Sequence, residues 1–184
     1  NWYICQVADP ESVYTTVREA LSMGHGKVMP PNTRSKKLIL VYLQHMSEKL
    51  AARLRRHDMT AQTFFVGVNC HQSAWLAERY RLACATNDGK LIFSLAKRLI
   101  NRYWQGEGVY QVQITALDPI LSAYQYDFFM QTRSQRAKLN QIADQVNQRY
   151  GAFCVAPMRL LNRSTMPNVI APAWKPEGHR DTII

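Results

Sequence analysis

Gly24-His25-Gly26-Lys27 sets an imidazole between two glycines and an ammonium directly after them. Backbone N–H groups freed of side-chain cover, together with a lysine, can approach a phosphate closely. The upstream glycine and the following Ser/Thr of a nucleotide-binding P-loop are missing, so the chemistry on offer is simple anion contact. The same four residues also fit a glycine-permitted bend in a strand. Bond-making chemistry finds no comparable cluster. Asp9, Asp88, Asp118 and Asp127 stand singly, in turns or in motifs of another kind, where aspartate serves as a cap. No Ser-His-Asp order can be assembled. Cys5, Cys70, Cys84 and Cys154 lie far apart without a CxxC pair, and no two histidine pairs have zinc-ligand spacing. They read as reduced thiols of a cytoplasmic protein. The sequence therefore predicts no catalytic residue, no metal ligand and no cofactor in this chain, and points to binding.

The charge says what would be bound. The 184 residues carry a net charge of +10. Residues 1–117 hold 15 basic and 8 acidic side chains, and residues 118–184 hold 8 and 5. A basic folded region followed by a less basic tail suits a polyanion, nucleic acid first, although a merely soluble basic protein would share the total. Hydrophobic residues make up 47%, enough for a real core. No apolar run approaches the roughly 20 residues that span a bilayer, so no membrane partner is expected. The opening Asn1-Trp2-Tyr3-Ile4-Cys5-Gln6 lacks both an initiator Met and the pattern of a signal peptide, and reads as a cut inside a longer protein.

The elements that must position these side chains follow from periodicity. Residues 1–18 read as a linker or the end of a preceding domain. A strand is expected over 19–26, with Leu21 and Met23 on one side and Ser22 and Gly24 on the other; Pro30-Pro31-Asn32-Thr33 should close it. Ile39, Tyr42, Leu43, Met46, Leu50 and Leu54 recur at three- and four-residue steps, which predicts a helix over 35–57. Its last turn collects Arg53, Arg55, Arg56 and His57, where positive charge suits the dipole. Alternation predicts strands over 61–70 (Phe64, Val66, Val68 inward), 78–86 (Tyr80, Leu82, Cys84 inward; Arg79, Arg81, Ala83, Ala85 outward) and 109–117. Asn87-Asp88-Gly89 should cap a second helix over 90–104, built on Ile92, Leu95, Ala96, Leu99 and Tyr103.

The resulting order, β-α-β-β-α-β over residues 19–118, is an α+β fold: a four-stranded sheet with both helices on one face. The other face would display Ser22, Thr63, Asn69, Arg79, Arg81, Gln111, Gln113 and Thr115, short polar or cationic side chains able to lie against a phosphate backbone. Residues 119–184 form a C-terminal extension. A third helix is expected over 133–150, with Leu139, Ile142, Val146 and Tyr150 in line, and Pro167, Pro172 and Pro176 predict an irregular tail.

Leu21-Ser22-Met23-Gly24-His25, then a long helix containing Ala51-Ala52-Arg53-Leu54-Arg55-Arg56, then Ala61-Gln62-Thr63-Phe64-Phe65, resembles the little-finger domain of Y-family (translesion) DNA polymerases of the UmuC/DinB type, the ImpB/MucB/SamB family. Thr86-Asn87-Asp88 and Thr115-Ala116-Leu117-Asp118 fit its later strands. The resemblance covers roughly residues 9–118; Leu21 stands where many members have Lys. It implies a sheet that grips primer-template DNA through its backbone during damage bypass, with Ser22, His25, Lys27, Thr63, Arg79, Arg81, Gln111 and Gln113 as contacts. Parity sets His25 on the inward side if the strand runs that far. The parent chain would be an error-prone, magnesium-dependent DNA polymerase of the SOS response. Its palm motifs, D-x-D and S-x-D-E, do not occur in these 184 residues.

Gln125-Tyr126-Asp127-Phe128-Phe129 resembles the bacterial clamp-binding peptide of Q-L-x-L-F type, with Tyr126 and Phe128 in place of leucines. The glutamine amide would hydrogen-bond the sliding clamp and the apolar side chains fill its pocket; a short strand packed on the domain would use the same residues. Its position resembles the C-terminal region of UmuC-type polymerases, where an accessory SOS subunit could also attach. Two other readings stay open. One is an adaptor for the clamp alone. The other is a single-stranded RNA binder, which needs aromatics at the centre of the open face; Phe65 alone fits.

Overall fold

The alternating segments become strands and the three- and four-residue repeats become helices. The computed structural model describes residues 22–70, 75–122 and 131–160. Its elements run β1 (Met23–Thr33), α1 (Lys36–Arg56), β2 (Met59–Cys70), β3 (Trp75–Thr86), α2 (Gly89–Tyr103), β4 (Val109–Ala116), β5 (Ile120–Leu121) and α3 (Gln131–Tyr150). The main sheet is antiparallel in the order β1-β4-β2-β3, and β5 adds a short pairing on β2. The α+β order predicted from the sequence is therefore present. The segments 1–18, Gln125–Phe129 and 164–184 lie outside the described residues.

Both helices cover one face. Ile39, Leu43, Leu50 and Leu54 of α1 are fully buried, as are Phe64, Val66 and Val68 of β2, and Val112 and Ile114 of β4. Ser35 caps α1, its Oγ accepting from Leu38 N, and Asp88 caps α2, accepting from Lys90 N.

Several local expectations are corrected. Pro30-Pro31 does not close the first strand, which continues to Thr33. β1 is an edge strand, so a missing N–H costs no ladder bond on its free side. Its register with β4 jumps between Val28 and Thr33, where Asn32 takes φ 58. β3 begins three residues before the predicted strand. Ala85, assigned outward, is buried, because the β2–β3 register shifts by three residues between Ala61 and Thr63, and an odd shift reverses the alternation beyond it. Tyr103, assigned to the buried stripe of α2, is 39% exposed at the helix end.

The third helix forms over 131–150, but its apolar line does not face the domain: Leu139, Ile142 and Tyr150 are exposed. It docks instead through polar side chains. Arg55 of α1 pairs with Asp144, and Arg136 Nη2 lies 2.9 Å from Asp88 Oδ2 at the start of α2. Past Gly151, Phe153 meets the His45 ring edge-on at 4.7 Å and Leu160 enters the core.

Candidate functional site

The face of the sheet away from α1 and α2 is built in rows. Gly24 pairs with Thr115, Thr115 with Phe65, and Phe65 with Arg79. The next row runs Gly26, Gln113, Gly67, Ala77, and the third Val28, Gln111, Asn69, Trp75. Thr63 and Arg81 extend the face along β2 and β3. At about 4.8 Å between strands, four strands make a platform about 14 Å wide. Along β3, Arg79 and Arg81 stand about 7 Å apart, close to the axial separation of alternate phosphates on one DNA strand, about 6.8 Å.

Ser22, Arg79 and Arg81 are exposed, and Thr63, Gln111 and Gln113 are half-buried among their neighbours. Gln113 Nε2 donates to Thr115 Oγ1 at 3.3 Å. Among the described residues of these rows no carboxylate occurs. The glycines of β1 lower the rim beside β4: a Cβ on Gly24 would strike the Thr115 hydroxyl. Gly67 lies beneath the Trp75 ring and against Phe65.

Two of the eight candidate residues are not on this face. The parity that puts Gly24 and Gly26 on the open side turns His25 and Lys27 toward the helices. Lys27 Nζ sits 6.0 Å from the centroid of the Tyr42 ring on α1. Burial, with Arg53 and Lys49 nearby, drives His25 down from its ordinary 6.5 to about 4, so the imidazole is neutral at physiological pH. The cause is the length of β1: a strand that runs unbroken past Gly26 keeps alternating, where a bend would have freed both side chains.

The face also takes in Trp75, 41% exposed, which lies ahead of the strand expected over 78–86. Counting back in twos from Arg79 through Ala77 reaches Trp75, and that was the available signal. Of Asp9, Asp88, Asp118 and Asp127, the two among the described residues are structural: Asp88 caps α2, and Asp118 Oδ1 accepts from Gln62 N at 3.0 Å and Thr63 N at 2.8 Å. Among the described residues no group of His, Cys, Asp and Glu could hold a metal ion, and no helix is long and apolar enough to cross a membrane. Cys70, Cys84 and Cys154 are free.

An antiparallel four-stranded platform, with two helices behind it and a polar, carboxylate-free front, defines the class, and the comparisons agree. The chain belongs to the impB/mucB/samB family, whose C-terminal domain matches residues 20–128; this is the little-finger domain of Y-family DNA polymerases. DNA polymerase IV of Bacillus anthracis is 24% identical over 134 residues, 71% of this chain and 32% of that protein. DNA polymerase IV of Bacillus cereus is 23% identical over 134 residues with the same coverage. The chain thus spans about a third of the length of these relatives. Among solved structures, a complex of beta-clamp processivity factor and little finger domain of PolIV gives a TM-score of 0.46 at 14% identity, over 59% of this chain and 99% of that one. DinB from Sulfolobus solfataricus gives 0.43 at 20% identity, over 54% and 29%.

Proposed function

We propose that the open face grips primer-template DNA through its phosphate backbone, as the C-terminal module of an error-prone translesion polymerase. The observation that carries this is the set of cross-strand rows, with Arg79 and Arg81 on the outer strand and no carboxylate among them. Backbone contacts are independent of base order, which suits an enzyme that must hold damaged template. Polymerisation itself, with its magnesium ions, belongs in this reading to the rest of the parent protein.

A salt titration tests the grip. If four to six phosphates are neutralised, log affinity for duplex falls with a slope of roughly −4 to −5 against log salt. Arg79→Ala with Arg81→Ala makes that slope shallower by about 2 and weakens unrelated duplex sequences equally. A loss confined to particular sequences would overturn the assignment.

In the same reading Gln125-Tyr126-Asp127-Phe128-Phe129 contacts the sliding clamp. Pull-down of the clamp should be lost when Gln125 and Phe129 become Ala; equal recovery of both versions rejects the contact.

Phe65 and Trp75 over Gly67 favour one further possibility, a platform for single-stranded RNA, since stacking on aromatics is how such sheets take bases. Affinity for single-stranded RNA compared with primer-template DNA at the same salt separates the two.

A further inference from the structure

The outer face of α2 carries a second cationic surface, separate from the sheet. Ser94, Lys97, Arg98, Asn101 and Arg102 line a shallow groove of about 410 Å³. They follow the three- and four-residue spacing of one helix face. All five are exposed, and none is acidic. Arg98 is held in place: its guanidinium lies 5.8 Å from the centroid of the Tyr80 ring. Tyr80 belongs to β3, the outer strand of the sheet, and its neighbours Arg79 and Arg81 project from the opposite side. Cations therefore stand on both sides of one sheet edge. Where the groove meets the end of α2, Arg102 lies 5.2 Å from the ring of Tyr103, which is 39% exposed.

We infer that this groove binds the phosphates of a single-stranded nucleic-acid segment, the unpaired template continuing from a duplex on the open face. The inference rests on the proposed reading of that face. Charge alone would suit any polyanion; stiffness selects the strand. Duplex DNA has a persistence length of about 150 base pairs, so a duplex lying on the sheet cannot curl round β3 onto the helix layer. A single strand can. Cationic grooves with an aromatic nearby are also how single strands are held without regard to sequence, one base stacking on the ring while the backbone follows the charges.

Affinity should be measured by anisotropy for the full chain with a blunt duplex and with the same duplex bearing a single-stranded template overhang. The overhang should tighten binding about tenfold at low salt and steepen the salt slope by about 2, near 0.7 for each of three phosphates on a single strand. Lys97→Gln, Arg98→Gln and Arg102→Gln together should erase that gain and leave blunt-duplex affinity within twofold. Tyr103→Leu should remove part of the gain without changing the slope. An unchanged gain in the triple variant, an equal loss on blunt and overhang substrates, or no gain in the unaltered protein would each overturn the inference. Absence of blunt-duplex binding would instead mark failure of the sheet reading, and a gain that survives Arg79→Ala with Arg81→Ala keeps the two sites distinct.

Discussion

Arg55 and Asp144, 89 residues apart in the chain, form a two-point ion pair that ties the extension to the domain: Arg55 Nη2 donates to Asp144 Oδ1 at 2.8 Å, and Nε donates to Oδ2. The same guanidinium donates through Nη1 to the Asn87 carbonyl at 2.7 Å. One side chain thus joins the end of α1, the turn before α2 and the middle of α3. Beside it Glu48, its carboxyl raised to about 7 by burial and by Asp88 and Asp144, is partly relieved by Arg55 and Arg136.

Breaking this pair should loosen α3 without unfolding the sheet. A double-mutant cycle of Arg55→Gln and Asp144→Asn should give a coupling of about 1 kcal/mol, typical of a partly exposed bidentate pair. Arg55→Lys should lose most of it, because an ammonium cannot match both carboxylate oxygens. Amide exchange should quicken over 135–150 and stay slow in β2 and β4. Equal acceleration everywhere would mean that α3 is part of the cooperative core.

Two half-buried titrating groups should oppose each other in the pH dependence of stability. Glu48 has its carboxyl raised from 4.5 to about 7, so between those values the folded state holds the extra proton and stability falls as pH rises. His25 has its imidazole lowered from 6.5 to about 4, so there the unfolded state holds the extra proton and stability rises with pH. Over the shared window the slopes, each at most about 1.4 kcal/mol per pH unit, offset one another. Glu48→Gln should leave stability climbing with pH from 4 to 6.5, and His25→Gln should leave it falling from 4.5 to 7. Denaturant midpoints across this pH range for the three proteins check both signs.

What was legible depended on how local the information is. Phe64, Val66 and Val68 alternate with Thr63, Phe65 and Gly67, and that alone sets the two faces of β2. Asp88 before Gly89 announces α2 through its cap. By contrast, the reach of β1 through two prolines follows from being an edge strand, which is a property of the sheet order and not of residues 23–33. Ala85 changes face because of a slip opposite Ala61, 24 positions earlier in the chain. α3 shows the sharpest gap: Leu139, Ile142, Val146 and Tyr150 do line up, yet the helix is fastened by Arg136 and Asp144, whose partners lie in other elements. On the candidate site the arginines and glutamines were readable by parity, Trp75 by extending it, and the inward turn of His25 and Lys27 only on knowing that the strand does not bend.

Gly67 should matter through the ring above it. A Cβ there would meet the Trp75 ring at 3.0 Å and Phe65 at 3.1 Å. Trp75 is half out in solvent and can swing, so Gly67→Ala should cost at most about 1 kcal/mol of stability. The displaced indole should nevertheless roughen the platform, and duplex affinity should fall severalfold. A fluorine NMR signal from fluorotryptophan at Trp75 should move in the variant; an unmoved signal with lowered affinity would place the effect elsewhere.

Asp118 should be the aspartate whose loss is felt most in the sheet. Its Oδ1 accepts from two successive backbone donors, Gln62 N and Thr63 N, where β2 slips register against β3, while Leu117 N donates to the Thr63 carbonyl at 2.9 Å. Asp118→Ala would leave both half-buried and unpaired, at about 1–3 kcal/mol. Asp118→Asn keeps an oxygen acceptor and should recover about half of that. Because Thr63 and Arg81 are paired just beyond the slip, Asp118→Ala should also weaken duplex binding more than its stability loss alone explains, measured well below the unfolding transition. Affinity that tracks the folded fraction would confine Asp118 to stability.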